Sequence, residues 1–325
     1  MKNLKKTVTS ICLSTILAST FVNASPLGQD SKNALPEIGN AAINILSLEK
    51  EKIYGDAMMR QLRASQPLLH DPVLTEYIND LGNQLVKHAE DVNYSFNFFL
   101  VNRKEINAFA FFGGNIGVHS GLITLAEQES ELASVLAHEI SHVTQRHLAR
   151  KLEAGKRTST LTTAGLISSV LLTLVNPQLG MAALSTTVAA SQQAGINYTR
   201  INEKEADRVG LTVLARSGFN PAAASQFFGK LAEKYRYASK PPAMLLTHPL
   251  PESRISDMRN RVERYGSKLL PASLDFELAK ARISARYERD PESNIIIFKQ
   301  QLEKQNYVLK QAAQYGLAMS YFEAG

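Results

Sequence analysis

Cysteine is all but missing from this chain: Cys12 is the only one in 325 residues. It lies in "MKNLKKTVTSICLSTILASTFVNA", which has a basic start, an apolar stretch too short to span a bilayer, and small residues ahead of Ser25. That order predicts a signal peptide over residues 1–24, cut after Ala24. Cys12 also lacks the leucine three residues earlier that a lipoprotein signal requires. The remaining chain would hold no cysteine, so disulfides are excluded, and stability must come from packing and any bound metal, whatever the redox state outside. The bacterial periplasm fits such a protein.

Strong charge of either sign is lacking too. Lysine and arginine number 36 against 30 acids, a formal +6; loss of Lys2, Lys5 and Lys6 leaves 33 against 30, or +3. So small a surplus gives no basic footprint for nucleic acid. Between Thr158 and Thr199 there is no charged residue at all. Asn176-Pro177 divides this tract and its second half is rich in Ala, Gly and Ser, so neither half reads as a membrane span. Two buried or pocket-lining helices are expected, with a membrane-dipping hairpin as the alternative; membrane association is peripheral at most.

Periodicity supplies the rest of the outline. Residues 25–47 are punctuated by Pro and Gly and read as a leader. "LEKEKIYGDAMMRQLRA" and "DPVLTEYINDLGNQLVKHA" carry apolar residues three and four apart, and Asp71 and Pro72 stand at N-cap and N1 positions. "YSFNFFLV" alternates as a strand does. "EINAFAFFGGNIGVHSGLITLA" predicts two strands around a Gly113-Gly114 turn. A strand beside a reactive centre can hold an extended peptide by backbone pairing, with Asn107 and Ala108 as candidates for that edge; a hairpin that only packs is the alternative.

Histidine is scarce, seven in the chain, yet three fall in the twelve residues "LAHEISHVTQRH". Apolar positions Leu132, Val135, Leu136, Ile140, Val143 and Leu148 predict one helix over about 130–152. On it His138 and His142 present two imidazoles to one point, with Glu139 about 100° round the axis. Such a pair suits Zn²⁺, one per chain, and the adjacent carboxylate suits a base that takes a proton from a water held there. Two satisfied, buried histidines are the bland alternative. His119 and His147 read as structural or surface residues. His147 falls one position short of a third histidine in the longer zinc motif, whose glycine is also missing.

A third ligand must come from elsewhere. "NYTRINEKEADRVGLTVLARSGFNP" patterns as another helix, on which Glu203 and Asp207 share a face while Glu205 points away. Glu203 would complete a His₂Glu set and Asp207 would accept the free ring N–H of a ligand histidine; a solvated acidic face is the alternative. In "LLTHPLPESRI", His248 and Arg254 would stabilise a tetrahedral oxyanion. His248 can instead fill a fourth metal position, and Arg254 can be a salt-bridged structural residue.

Taken in order, "NAFAFFGG", "HEISH", "NEKEAD" and "THPLPESR" resemble the HtpX and CAAX-prenyl-protease class of zinc metallopeptidases, close to its soluble periplasmic branch. The resemblance covers most of residues 48–265. It implies an α+β, mainly helical, zincin-like (gluzincin) metallopeptidase domain with a small β-sheet, here placed at 48–268. It also implies His138, His142 and Glu203 as ligands, Glu139 as base, and catalytic-site roles for His248 and Arg254. Residues 269–325 read as helical, with Leu317, Ala318, Tyr321 and Gly325 spaced as in the first helix of a tetratricopeptide repeat. The branch carries such repeats, implying misassembled envelope polypeptides as substrates and outer-membrane assembly machinery as partner. The competing expectation is a zinc-stabilised chaperone or assembly scaffold without proteolysis.

Overall fold

Two short sequence signals start the first helices described. The computed structural model describes residues 46–158, 189–239 and 241–325. The expected signal peptide, nearly all of the expected leader and most of the uncharged tract lie outside these residues. Helix α1 (Leu48–Ser65) opens at Ser47, whose hydroxyl accepts from Lys50 N at 3.3 Å, with Glu49 and Glu51 in the first turn where the helix dipole favours them. Helix α2 (Pro72–Val86) opens as the sequence predicts: Asp71 accepts from Val73 N and Leu74 N, and Pro72 supplies the preset φ.

Three strands follow: β1 (Asn97–Val101), β2 (Ala108–Phe111) and β3 (Asn115–His119). β3 lies in the middle, parallel to β1 and antiparallel to β2. The β2–β3 hairpin turns on Gly113 and Gly114, at φ +76° and +77°, a conformation glycine adopts without strain. Side chains alternate across the sheet. Phe98 and Leu100 join one core with α2 and the helices that follow, whereas Phe99 and Val101 join a second with Met58 and Leu62 of α1.

After the short α3 (Ser120–Leu125), α4 (Glu129–Thr144) carries the "HEISH" stretch, with Leu132, Val135, Leu136 and Ile140 wholly buried. A single helix over 130–152 was expected; the structure breaks it. α4 ends at Thr144, and Arg146 takes a left-handed conformation at φ +52°. A non-glycine residue there costs about 1–2 kcal/mol. The compensation is tertiary: the buried Arg146 guanidinium pairs with Glu51 of α1 at 2.5 Å and donates to Leu46 O at 2.6 Å. Chain direction changes, and α5 (His147–Thr158) begins.

Helix α6 (Ala189–Arg216) packs along α4. The approach is close at Gly210, where an added Cβ would stand 3.1 Å from the Ala137 carbonyl and from His138 N. Then come α7 (Ala222–Lys234), α8 (Ala243–Thr247), α9 (Glu252–Tyr265) and α10 (Leu274–Ile283). Among the described residues no helix is long and apolar enough to cross a membrane. The mainly helical α+β architecture matches the expectation.

The last helices, α11 (Pro291–Glu303) and α12 (Lys310–Ala324), follow a π-helical turn at Ser284–Glu288. Its wider winding brings Arg286 and Tyr287 to the same side as Arg282. All three converge on Asp71: Arg282 Nε at 2.7 Å, Arg286 Nη1 at 3.0 Å and the Tyr287 hydroxyl at 2.9 Å. The carboxylate that caps α2 thus also fixes the carboxyl-terminal helices. Burial pushes the Asp71 pKa up, but the Arg282 and Tyr287 hydrogen bonds and the Leu74 N–H outweigh it and hold it below the usual range. Its contribution to stability is therefore complete above about pH 4, the ordinary carboxyl value, and is lost as pH falls through the lower folded pKa. We expect Asp71→Ala to cost about 3 kcal/mol in urea unfolding at pH 7, the scale for stripping one partner from a buried ion pair. The difference from wild type should shrink below pH 4.

Candidate metal centre

α4 and α6, locked together at Gly210, supply the first donors. His138 and His142, one turn apart on α4, place their Nε2 atoms 3.0 Å from each other. Across the helix interface Glu203 of α6 sets Oε2 3.3 Å from His138 Nε2 and Oε1 3.5 Å from His142 Nε2. The fourth group arrives on a loop. α8 ends at His248, whose backbone N–H bonds Met244 O at 2.8 Å, while Met244 N bonds Ile106 O beside the sheet. His248 Nδ1 lies 3.2 Å from Glu203 Oε2 and 3.4 Å from His138 Nε2. One ligating atom from each of the four residues falls within 4.8 Å of every other.

This donor set fits a divalent ion. Three ring nitrogens and a carboxylate aimed at one point hold too few protons to satisfy one another, and nitrogen-plus-oxygen sets of this size are those that bind Zn²⁺ tetrahedrally. Glu139, 1% exposed, stands beside the set with Oε1 3.4 Å from His248 Nε2 and no hydrogen bond to that oxygen. A cleft of about 170 Å³ opens in front, lined by Phe109, Phe112, Glu139, His142, Val143 and His248 among others.

Behind the donors the charges are compensated. Arg254, 1% exposed, donates Nε and Nη2 to the two Asp207 oxygens at 2.7 Å each, and Nη1 to Pro249 O at 2.7 Å. The same Nη1 sits 2.9 Å from Glu203 Oε2. The Arg254 donors thus face two acids and a carbonyl. Asp207 Oδ1 lies 3.1 Å from His138 Nδ1, close but off the hydrogen-bond direction. Burial works against every charge here. It pushes Glu203 and Asp207 up, yet His248 and His142 for the first, and Arg254 for the second, hold both carboxyls below their usual range. Burial likewise pushes the His138 imidazolium down, and Asp207 and Glu203 overcome it, raising that pKa to about 9. His142, with burial and charged neighbours against it, is pushed far down.

All the residues singled out from the sequence around this cluster meet: His138, Glu139, His142, Glu203, Asp207, His248 and Arg254. Ala108 begins β2, an edge of the sheet, and Asn107 just before it accepts from His119 N at 3.0 Å. The sequence reading passed over His147. On an unbroken helix it would lie about 140° round from His142. The break at Arg146 brings it back, buried, with Nδ1 2.9 Å from His142 Nδ1. Its Nε2 meets Glu205 at 3.0 Å, and Arg150 meets the same Glu205 oxygen at 3.0 Å. Glu205 does point away from Glu203, and this is where it points.

The sequence model of peptidase family M48 matches residues 72–262. A protein of Vibrio cholerae named putative beta-barrel assembly-enhancing protease is 51% identical over 298 residues, 91% of this chain and 62% of the relative. The beta-barrel assembly-enhancing protease of Escherichia coli is 49% identical over 309 residues, 95% of this chain and 63% of the relative. Metalloprotease LoiP of Escherichia coli is 30% identical over 202 residues, 60% of this chain and 71% of the relative. The chain thus spans less than two thirds of the length of the first two relatives.

With a folded pKa of about 9 against about 6.5 unfolded, the His138 ion pair stabilises the metal-free protein fully below pH 6.5 and loses that contribution as pH rises through 9. We expect the melting temperature of chelator-treated protein to fall between pH 6.5 and 9.5 by more than that of a His138→Gln variant. An identical pH dependence of the two would remove His138 as the titrating group.

Proposed function

This chain belongs to peptidase family M48, and from that premise we propose that it is a zinc-dependent endopeptidase. The observation that carries the proposal is the unpartnered Glu139 carboxylate oxygen beside the converged His138, His142, Glu203 and His248. In this reading His138, His142 and Glu203 hold one Zn²⁺, which when bound supplies Lewis acidity toward a peptide carbonyl and toward water. The chain's own residues do the rest. Glu139 takes a proton from the attacking water and returns it to the leaving amine. The outward backbone groups of edge strand β2, beginning at Ala108, pair with an extended substrate and bring its scissile bond over the cleft, while Asn107, bonded to His119 N, holds the strand in the sheet. Arg254 acts through Glu203 and Asp207, keeping both ionised and aimed.

His248 has two positions in this scheme. Its Nδ1 lies as near Glu203 and His138 as they lie to each other, which favours a fourth ligand in a resting form. Residues 241–251 carry few buried apolar side chains, so a shift of this loop would open the fourth position and leave the imidazole free to face the oxyanion. A four-ligand set is also what a purely structural zinc site has, so the scaffold reading makes a distinct claim: chelation would then unfold the protein. The names of the relatives support a link to beta-barrel assembly. The finer reading, with misassembled outer-membrane polypeptides as substrates, the periplasm as compartment and the helices after residue 268 as the start of a tetratricopeptide region that docks on assembly machinery, is part of this proposal.

We expect wild-type protein loaded with one equivalent of zinc to cleave unfolded casein. Glu139→Gln should keep the zinc and lose activity about 100- to 10,000-fold, the range for removing a general base. Cleavage by a zinc-loaded, contaminant-free Glu139→Gln sample at the wild-type rate would sink the role. His248→Ala should bind zinc less tightly yet start cleavage without a lag if the imidazole is the resting ligand. If it serves the oxyanion instead, activity falls while affinity stays.

A further inference from the structure

The two α4 imidazoles are backed differently. Behind His138 stands a carboxylate, Asp207, fixed by Arg254. Behind His142 stands His147, Nδ1 to Nδ1 at 2.9 Å, and behind His147 stands Glu205 at 3.0 Å from its Nε2. Glu205 is in turn fixed by Arg150, whose Nη1 and Nη2 both approach the same Oε2 at 3.0 Å, while Nη2 also reaches Asn202 Oδ1 at 3.4 Å. His147, Arg150 and Glu205 are all buried.

Proton bookkeeping along this line has one consistent solution. Glu205 is ionised, since the Arg150 guanidinium sits on it, so it can only accept; the proton on that contact belongs to His147 Nε2. A second proton on His147 would put a second buried cation beside Arg150 with only Glu205 to balance both, so its Nδ1 is bare and accepts. The proton between the two rings therefore belongs to His142 Nδ1. That leaves His142 Nε2 bare and directed at Glu203 and His138, the tautomer a metal requires.

We propose that His147 and Glu205 are positioning residues for the metal centre: a carboxylate–histidine relay that fixes the Nδ1–H tautomer and ring orientation of His142. The proposal rests on the metal-site reading above and extends it to two residues outside the motif. A histidine ligand normally donates its second N–H to a carboxylate or carbonyl, and such partners are worth about 10- to 100-fold in metal affinity. Here one imidazole is interposed, because the break at Arg146 puts a histidine where the acid would stand, and Glu205 is one step further out.

The test compares wild type, His147→Asn, His147→Leu, Glu205→Gln and His142→Ala as full chains. Zinc dissociation constants come from chelator competition, and melting temperatures of the metal-free forms report on folding. Leucine removes both hydrogen bonds. The asparagine amide oxygen falls near the place of Nδ1, so it keeps acceptance from His142 and loses the link to Glu205. We expect zinc to bind His147→Leu about 10- to 100-fold more weakly than wild type, with His147→Asn between them, at melting temperatures that do not follow that order. Two-dimensional proton–nitrogen spectra of the zinc-loaded protein should show His142 protonated at Nδ1 and metal-shifted at Nε2. Any other order of affinities, or His142 bound through Nδ1, overturns the relay. Should His147→Leu fail to fold, Glu205→Gln decides: weaker zinc binding supports the proposal and wild-type affinity overturns it. If wild type and His142→Ala both bind no zinc, the metal-site reading itself fails, an outcome distinct from failure of the relay.

Discussion

Burial of like charges is the constraint around which this protein is organised. Glu203 and Asp207 share one face of α6 and are 3% and 5% exposed. An unpaired ion in such a place costs several kcal/mol, and two adjacent carboxylates would cost more. Arg254 removes the difficulty by lying against both acids at once. It lies only six positions after His248 in the chain. One segment, leaving α8 and entering α9, therefore delivers both the counter-ion and the third imidazole of the cluster. With the guanidinium in place, Glu203 can face the α4 histidines as a carboxylate.

Close helix packing converts this charge balance into geometry. Gly210 lets α6 approach the backbone of α4 at Ala137 and His138. Wholly buried Leu132, Leu136, Ile140 and Leu214 fill the same interface and its flanks. Donor positions on two rigid helices leave little room for side-chain search. The opposite sheet face is packed by α1, and the Glu51–Arg146 pair ties that helix to the point where α4 gives way to α5. Tyr94 donates to the same carboxylate. The turn that repositions His147 is thereby held from a distant part of the chain.

The carboxyl-terminal helices are bound to the peptidase scaffold by the same kind of device. Asp71 is an N-cap that also receives two guanidinium groups and a phenol. Phe276, Ala279 and Ile283 extend the main core, whereas Ala281, Ala285, Phe298 and Ala312 form a cluster of their own. The polar junction and the apolar one thus lie on the same helix, α10. Its hydrogen-bond geometry fixes orientation while its buried face supplies most of the attraction.

Much of this was legible without coordinates, and the reasons are local. Apolar spacing marked α1, α2 and the body of α4; Asp71-Pro72 marked a helix start; paired glycines marked the hairpin. The i, i+4 geometry alone put His138 beside His142 and Glu203 beside Asp207. Where reading failed, the cause was remote. Nothing near Gln145 ends the helix in sequence terms, because the left-handed Arg146 is held by Glu51, 95 residues away. His147 was consequently read as a structural or surface residue, with no link to His142. Glu205, rightly turned away from Glu203, had no visible destination. Sequence by itself determined which side chains could bind a metal and how each helix would present them, since backbone periodicity dictates that. Only the tertiary structure decided which second neighbours stand behind the imidazoles, because those contacts depend on where the chain reverses and on ion pairs closed between distant segments.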